Sequence, residues 1–91
     1  MNELEKELII CNMKGLHARA AAAFVKCVSG TASEVRVEKD GQVVDGSSIL
    51  SLMMLSASKG THIKVRVKGD DAEEALQKIT LLVNSCFGEE Q

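Results

Sequence analysis

Ser33-Glu34-Val35-Arg36-Val37-Glu38-Lys39, then Asp40-Gly41, then Gln42-Val43-Val44-Asp45 is the stretch that decides the fold. Apolar and polar residues alternate through the first run, so Val35 and Val37 share one face and the charges share the other. That is the pattern of a half-buried strand. Asp-Gly between two such runs is a hairpin turn, which makes Gln42–Asp45 the returning strand. A sheet with one wet face needs an apolar cover on the other, and the rest of the chain supplies it.

Toward the C-terminus, Gly46-Ser47-Ser48 introduces a short helix running from Ile49 to about Ala57 and closed near Gly60. Thr61 to Lys68 alternates again, with Ile63, Val65 and Val67 on one face. Asp70-Asp71-Ala72-Glu73-Glu74 opens a further helix with acids where the helix dipole favours them. Ala75, Leu76, Ile79, Leu82, Val83 and Cys86 follow at helical spacing. Toward the N-terminus, Ala18 to about Ser29 is helical, with Ala20, Phe24, Cys27 and Val28 as its apolar positions and Gly30 as its terminator. Before it, Glu7-Leu8-Ile9-Ile10-Cys11 reads as a strand broken by Asn12-Met13-Lys14-Gly15. The order is β-α-β-β-α-β-α, an α+β chain. The expected architecture is an open-faced β-sandwich: a four-stranded antiparallel sheet covered on one face by three helices, one domain over residues 1–91.

Ninety-one residues, 45% hydrophobic, suffice for one core without metal or disulfide staples. A net charge of −2 supplies no basic field for nucleic acid or anionic membranes, and Phe24 and Phe87 are the only aromatics available for base stacking. No apolar run approaches the ~18 residues of a membrane span. The charged start Met1-Asn2-Glu3-Leu4-Glu5-Lys6 lacks the apolar segment of a secretory signal, so a soluble, cytoplasmic protein is expected. Cys11, Cys27 and Cys86 show no metal-ligand spacing and are expected as reduced core thiols. No metal and no cofactor are implied.

The chemistry gathers at Gly15-Leu16-His17-Ala18-Arg19-Ala20, where a histidine stands at a helix start. The first amides of a helix lack intrahelical acceptors and carry the positive end of its dipole, which makes an anion seat. A neutral imidazole there can take a phosphoryl group, with the Ala18, Arg19 and Ala20 amides and the Arg19 guanidinium, which can fork onto two oxygens, holding the charge. Gly15 permits a backbone conformation that other residues resist. On Ile49–Leu55, Leu52 and Leu55 point inward together, leaving Ile49, Leu50, Met53 and Met54 as an apolar docking patch. Ser47 and Ser48 stand where a helix N-cap belongs. His62 reads as an exposed strand histidine.

The element order and the Gly-Leu-His-Ala-Arg motif resemble the HPr family, the histidine phosphocarriers of the bacterial phosphoenolpyruvate-dependent phosphotransferase system. Leu52-Met53-Met54-Leu55-Ser56-Ala57-Ser58-Lys59-Gly60 and Leu82-Val83-Asn84-Ser85-Cys86-Phe87 resemble the nitrogen-related branch more than the sugar branch. The resemblance implies a monomeric, stoichiometric carrier rather than an enzyme. It implies that His17 accepts a phosphoryl group from Enzyme I and passes it to an EIIA-type protein. It also aligns Ser48 with a serine that a dedicated kinase phosphorylates in some relatives. The family usually has proline directly after the motif's arginine, where this chain has Ala20; alanine gives up that rigidity and returns an amide beside the site. Two rival readings use the same residues. One is a regulatory adaptor that docks through the second helix and never cycles phosphate; the other is an acyl-phosphate hydrolase with Asn12 positioning water.

Overall fold

The computed structural model describes residues 2–90. The elements are β1 (Asn2–Ile9), α1 (Ala18–Ser29), β2 (Glu34–Lys39), β3 (Gln42–Asp45), α2 (Ile49–Met53), β4 (His62–Gly69) and α3 (Ala72–Asn84), with a final turn over Cys86–Gly88. The strands form one sheet in the order β1-β4-β2-β3, every pair antiparallel. This is the expected α+β open sheet with three helices.

Register explains the two faces. Val65 lies between Lys6 of β1 and Val37 of β2, and Val67 between Leu4 and Val35. Val35, Val37, Ile63, Val65 and Val67 are all buried, and Phe24, Leu52, Ile79 and Val83 from the helices close over them. On the other face, Arg66 reaches Glu5 at 2.7 Å and Glu38 at 2.9 Å, tying three strands together. Exposed pairs of this kind contribute about 0–1 kcal/mol each, so burial of the apolar face is what fixes register.

Strand β1 starts earlier than the sequence suggests. Glu3, Glu5 and Glu7 make the segment look like a charged tail, yet they occupy its wet face while Leu8 is buried. Helix α2 is shorter, ending at Met53 instead of continuing to Ala57. Ser56 turns left-handed at φ 53°, and Lys39 Nζ donates to the Leu55 and Ser56 carbonyls at 3.0 and 3.2 Å, taking over acceptors a longer helix would have used. Helix α3 likewise stops at Asn84, so Cys86 is not its last core position.

The cysteines depart from expectation. Cys11 and Cys86 are joined in a disulfide, their α-carbons 5.2 Å apart, because the end of β1 and the turn after α3 meet at one edge of the core. Cys27 is free and half-buried, and burial pushes its thiol pKa up.

Candidate functional site

His17 is the N-cap of α1, with extended backbone (φ −79°, ψ −177°). The approach to it is fixed by two contacts. Gly15 adopts φ +68°, and a Cβ there would stand 2.5 Å from the Ala57 carbonyl oxygen. The Leu16 amide donates to that same oxygen at 2.8 Å while its side chain is buried. The ring is thereby carried to the helix start and left partly open to solvent.

The two ring nitrogens have different partners. Nδ1 accepts from the Arg19 amide at 3.3 Å. Nε2 lies 2.9 and 2.8 Å from the two carboxylate oxygens of Glu89. An amide can only donate and an ionised carboxylate can only accept, so both contacts require the same tautomer: the proton on Nε2 and the lone pair on Nδ1. Glu89 is in turn held by Asn12, whose Nδ2 donates to Glu89 Oε1 at 2.9 Å and to the Gly15 carbonyl at 2.7 Å. Asn12 is fully buried, and its Oδ1 has no partner among the described residues. The His17 ring N–H, and after it the Asn12 amide, hold the Glu89 carboxyl below the usual carboxylate range.

The anion seat is only partly free. The Arg19 amide is engaged by Nδ1, whereas the Ala18 and Ala20 amides have no backbone acceptor among the described residues. Arg19 itself is exposed, makes no ion pair among the described residues, and lines a cleft with Met13, Lys14, Gly88, Glu89 and Glu90. On its other side His17 borders Leu16, Ser56, Ala57 and Ser58, the segment that follows α2.

Helix α2 has the two faces its sequence announces. Leu52 and Leu55 are buried, while Ile49, Leu50, Met53 and Met54 are 40, 69, 39 and 64% exposed. Ser48 caps the helix, its Oγ accepting from the Ser51 amide at 3.2 Å, and Ser47 donates to Asp45 Oδ1 at 2.7 Å. His62 is exposed, as expected, and strand pairing brings Glu7 to 3.4 Å from its Nδ1. Glu89, 72 positions from His17, carries no local signal in the sequence, and Asn12 stands out there only as a possible water-positioning group.

Fold and site together define an open-faced α+β sandwich bearing a histidine at the cap of its first helix. A family model described as "PTS HPr component phosphorylation site" matches residues 4–85. The phosphocarrier protein HPr of Neisseria meningitidis is 45% identical over 86 residues, 94% of this chain and 97% of the relative. The phosphocarrier protein NPr of Shewanella violacea is 37% identical over 89 residues, 98% of each. The crystal structure of HPr-C-His from Thermoanaerobacter tengcongensis superposes with a TM-score of 0.90 at 43% identity, covering each chain completely. The chain belongs to the HPr family, and its class of function is phosphoryl carriage in the phosphotransferase system.

Proposed function

We propose that His17 is the phosphoacceptor, loaded by Enzyme I and unloaded to an EIIA-type protein in the cytoplasm. The observation that carries this reading is the Arg19 amide 3.3 Å from Nδ1, a contact that requires a lone pair on that nitrogen and points it at the first turn of α1. In loading, that pair forms the N–P bond as the donor's bond to phosphorus breaks and its electron pair stays with the donor. The ring keeps its Nε2 proton and emerges cationic. Phosphorylation of Nδ1 releases the Arg19 amide, which then joins the Ala18 and Ala20 amides as a donor to the phosphoryl oxygens. Transfer of this kind needs positioning and charge stabilisation more than covalent help. Helix-end interactions of roughly 0.3–2 kcal/mol tune the equilibrium between carriers without trapping the group. Unloading reverses each step, and no cofactor takes part.

The Arg19 guanidinium supplies the counter-charge, and Ile49, Leu50, Met53 and Met54 form the docking surface. That surface suits several partners because methionine side chains repack at low cost. Phosphorylation at Ser48, the α2 cap, would set a dianion beside this apolar patch and weaken docking, because burying the patch would then desolvate the charge. The test is incubation with Enzyme I and phosphoenolpyruvate, followed by intact mass. The native chain gains one acid-labile phosphoryl group and His17→Ala gains none. A gain by His17→Ala would overturn the assignment.

A further inference from the structure

The chemistry legible in the sequence gathers at the start of the first helix, yet the group touching the histidine most closely comes from the other end of the chain. Three observations bear on why. First, both Glu89 oxygens face Nε2, the nitrogen that does not take the phosphoryl group in the reading above, so the carboxylate leaves the nucleophilic face open. Second, the turn that delivers Glu89 is held in a costly conformation: Cys86, Phe87 and Gly88 have φ of 57°, 56° and 73° in succession. Non-glycine residues there cost of the order of 1–3 kcal/mol each and persist only where surrounding contacts over-determine them. Third, those contacts are present. The disulfide to Cys11 anchors the turn, the Met13 amide donates to the Glu90 carbonyl at 2.8 Å, and Asn12 holds the carboxylate. The anchors Cys11, Asn12 and Met13 are consecutive and belong to the loop that leads to His17.

We infer that Glu89 is a positioning residue for His17, and that the Cys11–Cys86 bond is the clasp that keeps it in place. This rests on the assignment of His17 as phosphoacceptor and deepens it. Glu89 acts twice. Before transfer it accepts the Nε2 proton in a hydrogen bond, fixing the lone pair on Nδ1 and holding the ring plane. During transfer it faces the positive charge that the ring acquires as the N–P bond forms. A histidine oriented on one nitrogen by a carboxylate while the other nitrogen does the chemistry is a recurrent arrangement. An external dithiol reduces the bond, ending as its own disulfide and leaving Cys11 and Cys86 as two thiols; the turn is then free to relax from its left-handed backbone, and the Cys11 S–H has the Val83 carbonyl, 3.2 Å from Sγ, as acceptor. Glu89 leaves the ring, and the carrier slows without losing its acceptor residue.

The test combines ring spectroscopy with kinetics. Long-range nitrogen–proton correlation on the neutral His17 ring is expected to show a single tautomer, protonated on Nε2, in the oxidised native protein. Glu89→Leu is expected to mix the two tautomers and to lower kcat for loading by Enzyme I by about 100-fold, the scale of a misplaced reacting group. KM should stay unchanged because the α2 patch is intact. Glu89→Gln retains a carbonyl acceptor without the charge, so it should keep the tautomer and lose part of the rate. Native protein in reductant should move toward the Glu89→Leu spectrum and rate. Native-like tautomer and rate in Glu89→Leu overturn the proposal; should that variant fail to fold, an unchanged rate in Glu89→Gln does so. An unchanged spectrum on reduction overturns the clasp. Phosphorylation of His17→Ala would sink the acceptor assignment instead, which the ring spectra do not depend on.

Discussion

The carbonyl oxygen of Ala57 accepts the Leu16 amide at 2.8 Å and stands against the bare α-carbon of Gly15. One oxygen thus joins the loop after α2 to the loop before His17, and leaves no room for a side chain at residue 15. Gly15→Ala would put a methyl group 2.5 Å from that oxygen and 2.8 Å from the Ser58 α-carbon, on a residue at φ +68°. Both neighbours are backbone atoms, so the loop itself must move. We expect a loss of about 1–3 kcal/mol in unfolding free energy and slower loading, measured by denaturant titration and by phosphorylation rate.

Neighbouring residues on α2 give a sharper contrast. Leu52 is fully buried while Met53 is 39% exposed. Met53→Glu is expected to weaken association with Enzyme I while leaving the thermal midpoint nearly unchanged. Leu52→Ala is expected to cost about 2–5 kcal/mol of stability and to affect binding only through folding. Calorimetry on both variants, with and without the partner, checks the pair. A large stability loss in Met53→Glu would place that side chain in the core.

Some of this was legible in the sequence and some was not. The Val35–Val37 alternation and the Asp40-Gly41 turn defined the hairpin because strand period and turn chemistry are local properties. The two faces of Ile49–Leu55 were legible for the same reason. The end of α2 was not, since Lys39, from β2, caps its carbonyls from outside the helix. Glu89 was invisible because only tertiary closure brings it to His17. One signal could have found it: pairing Cys11 with Cys86 places Glu89, three residues on, against Asn12 and the histidine loop. Three cysteines without motif spacing give no local sign of which two pair, so that constraint appears only in the folded chain.

Arg19 is exposed and unpaired with any acid among the described residues, so its charge is available to a newly bound anion. Arg19→Ala should therefore leave stability within about 0.5 kcal/mol. The equilibrium constant for loading by Enzyme I, read from the phosphorylated fraction, should fall about tenfold, the scale of one charge-assisted hydrogen bond of roughly 1.5 kcal/mol. Quantitative phosphohistidine mass spectrometry measures it. An unchanged fraction would remove Arg19 from the site.

Acid should unfold the protein through identifiable carboxylates. The Ala32 amide, at 2.9 Å, and the Ser33 hydroxyl both donate to Asp71 and hold its carboxyl below the usual range. The His17 ring does the same for Glu89. As pH falls, the unfolded chain takes up these protons before the folded one does. The stabilisation is therefore complete above the ordinary carboxylate value of about 4 and is lost as pH drops through the lowered folded values. Stability measured by denaturant titration should decline below about pH 4. Asp71→Asn should be less stable near neutrality and show a shallower acid decline. Parallel curves for the two proteins would mean Asp71 is not among the linked groups.

Reduction should have its own signature in stability. The disulfide links residues 75 apart in sequence, and closing a loop of that size removes unfolded-state entropy equivalent to about 4 kcal/mol. For a domain this small each kcal/mol moves the thermal midpoint by roughly 4–8 °C, so a strong reductant should lower it by about 15 °C or more. Relaxation of the left-handed turn at Cys86 and Phe87 returns part of the backbone strain and works against that drop. Cys86→Ser in oxidising buffer should match reduced native protein, since both lack the bond. Cys27→Ala should retain the response to reductant in full, because Cys27 is the thiol that is free in the folded chain. If reductant leaves the native midpoint where it was, the C-terminal turn is held by its hydrogen bonds alone, and the Met13 and Asn12 contacts suffice to present Glu89 to His17.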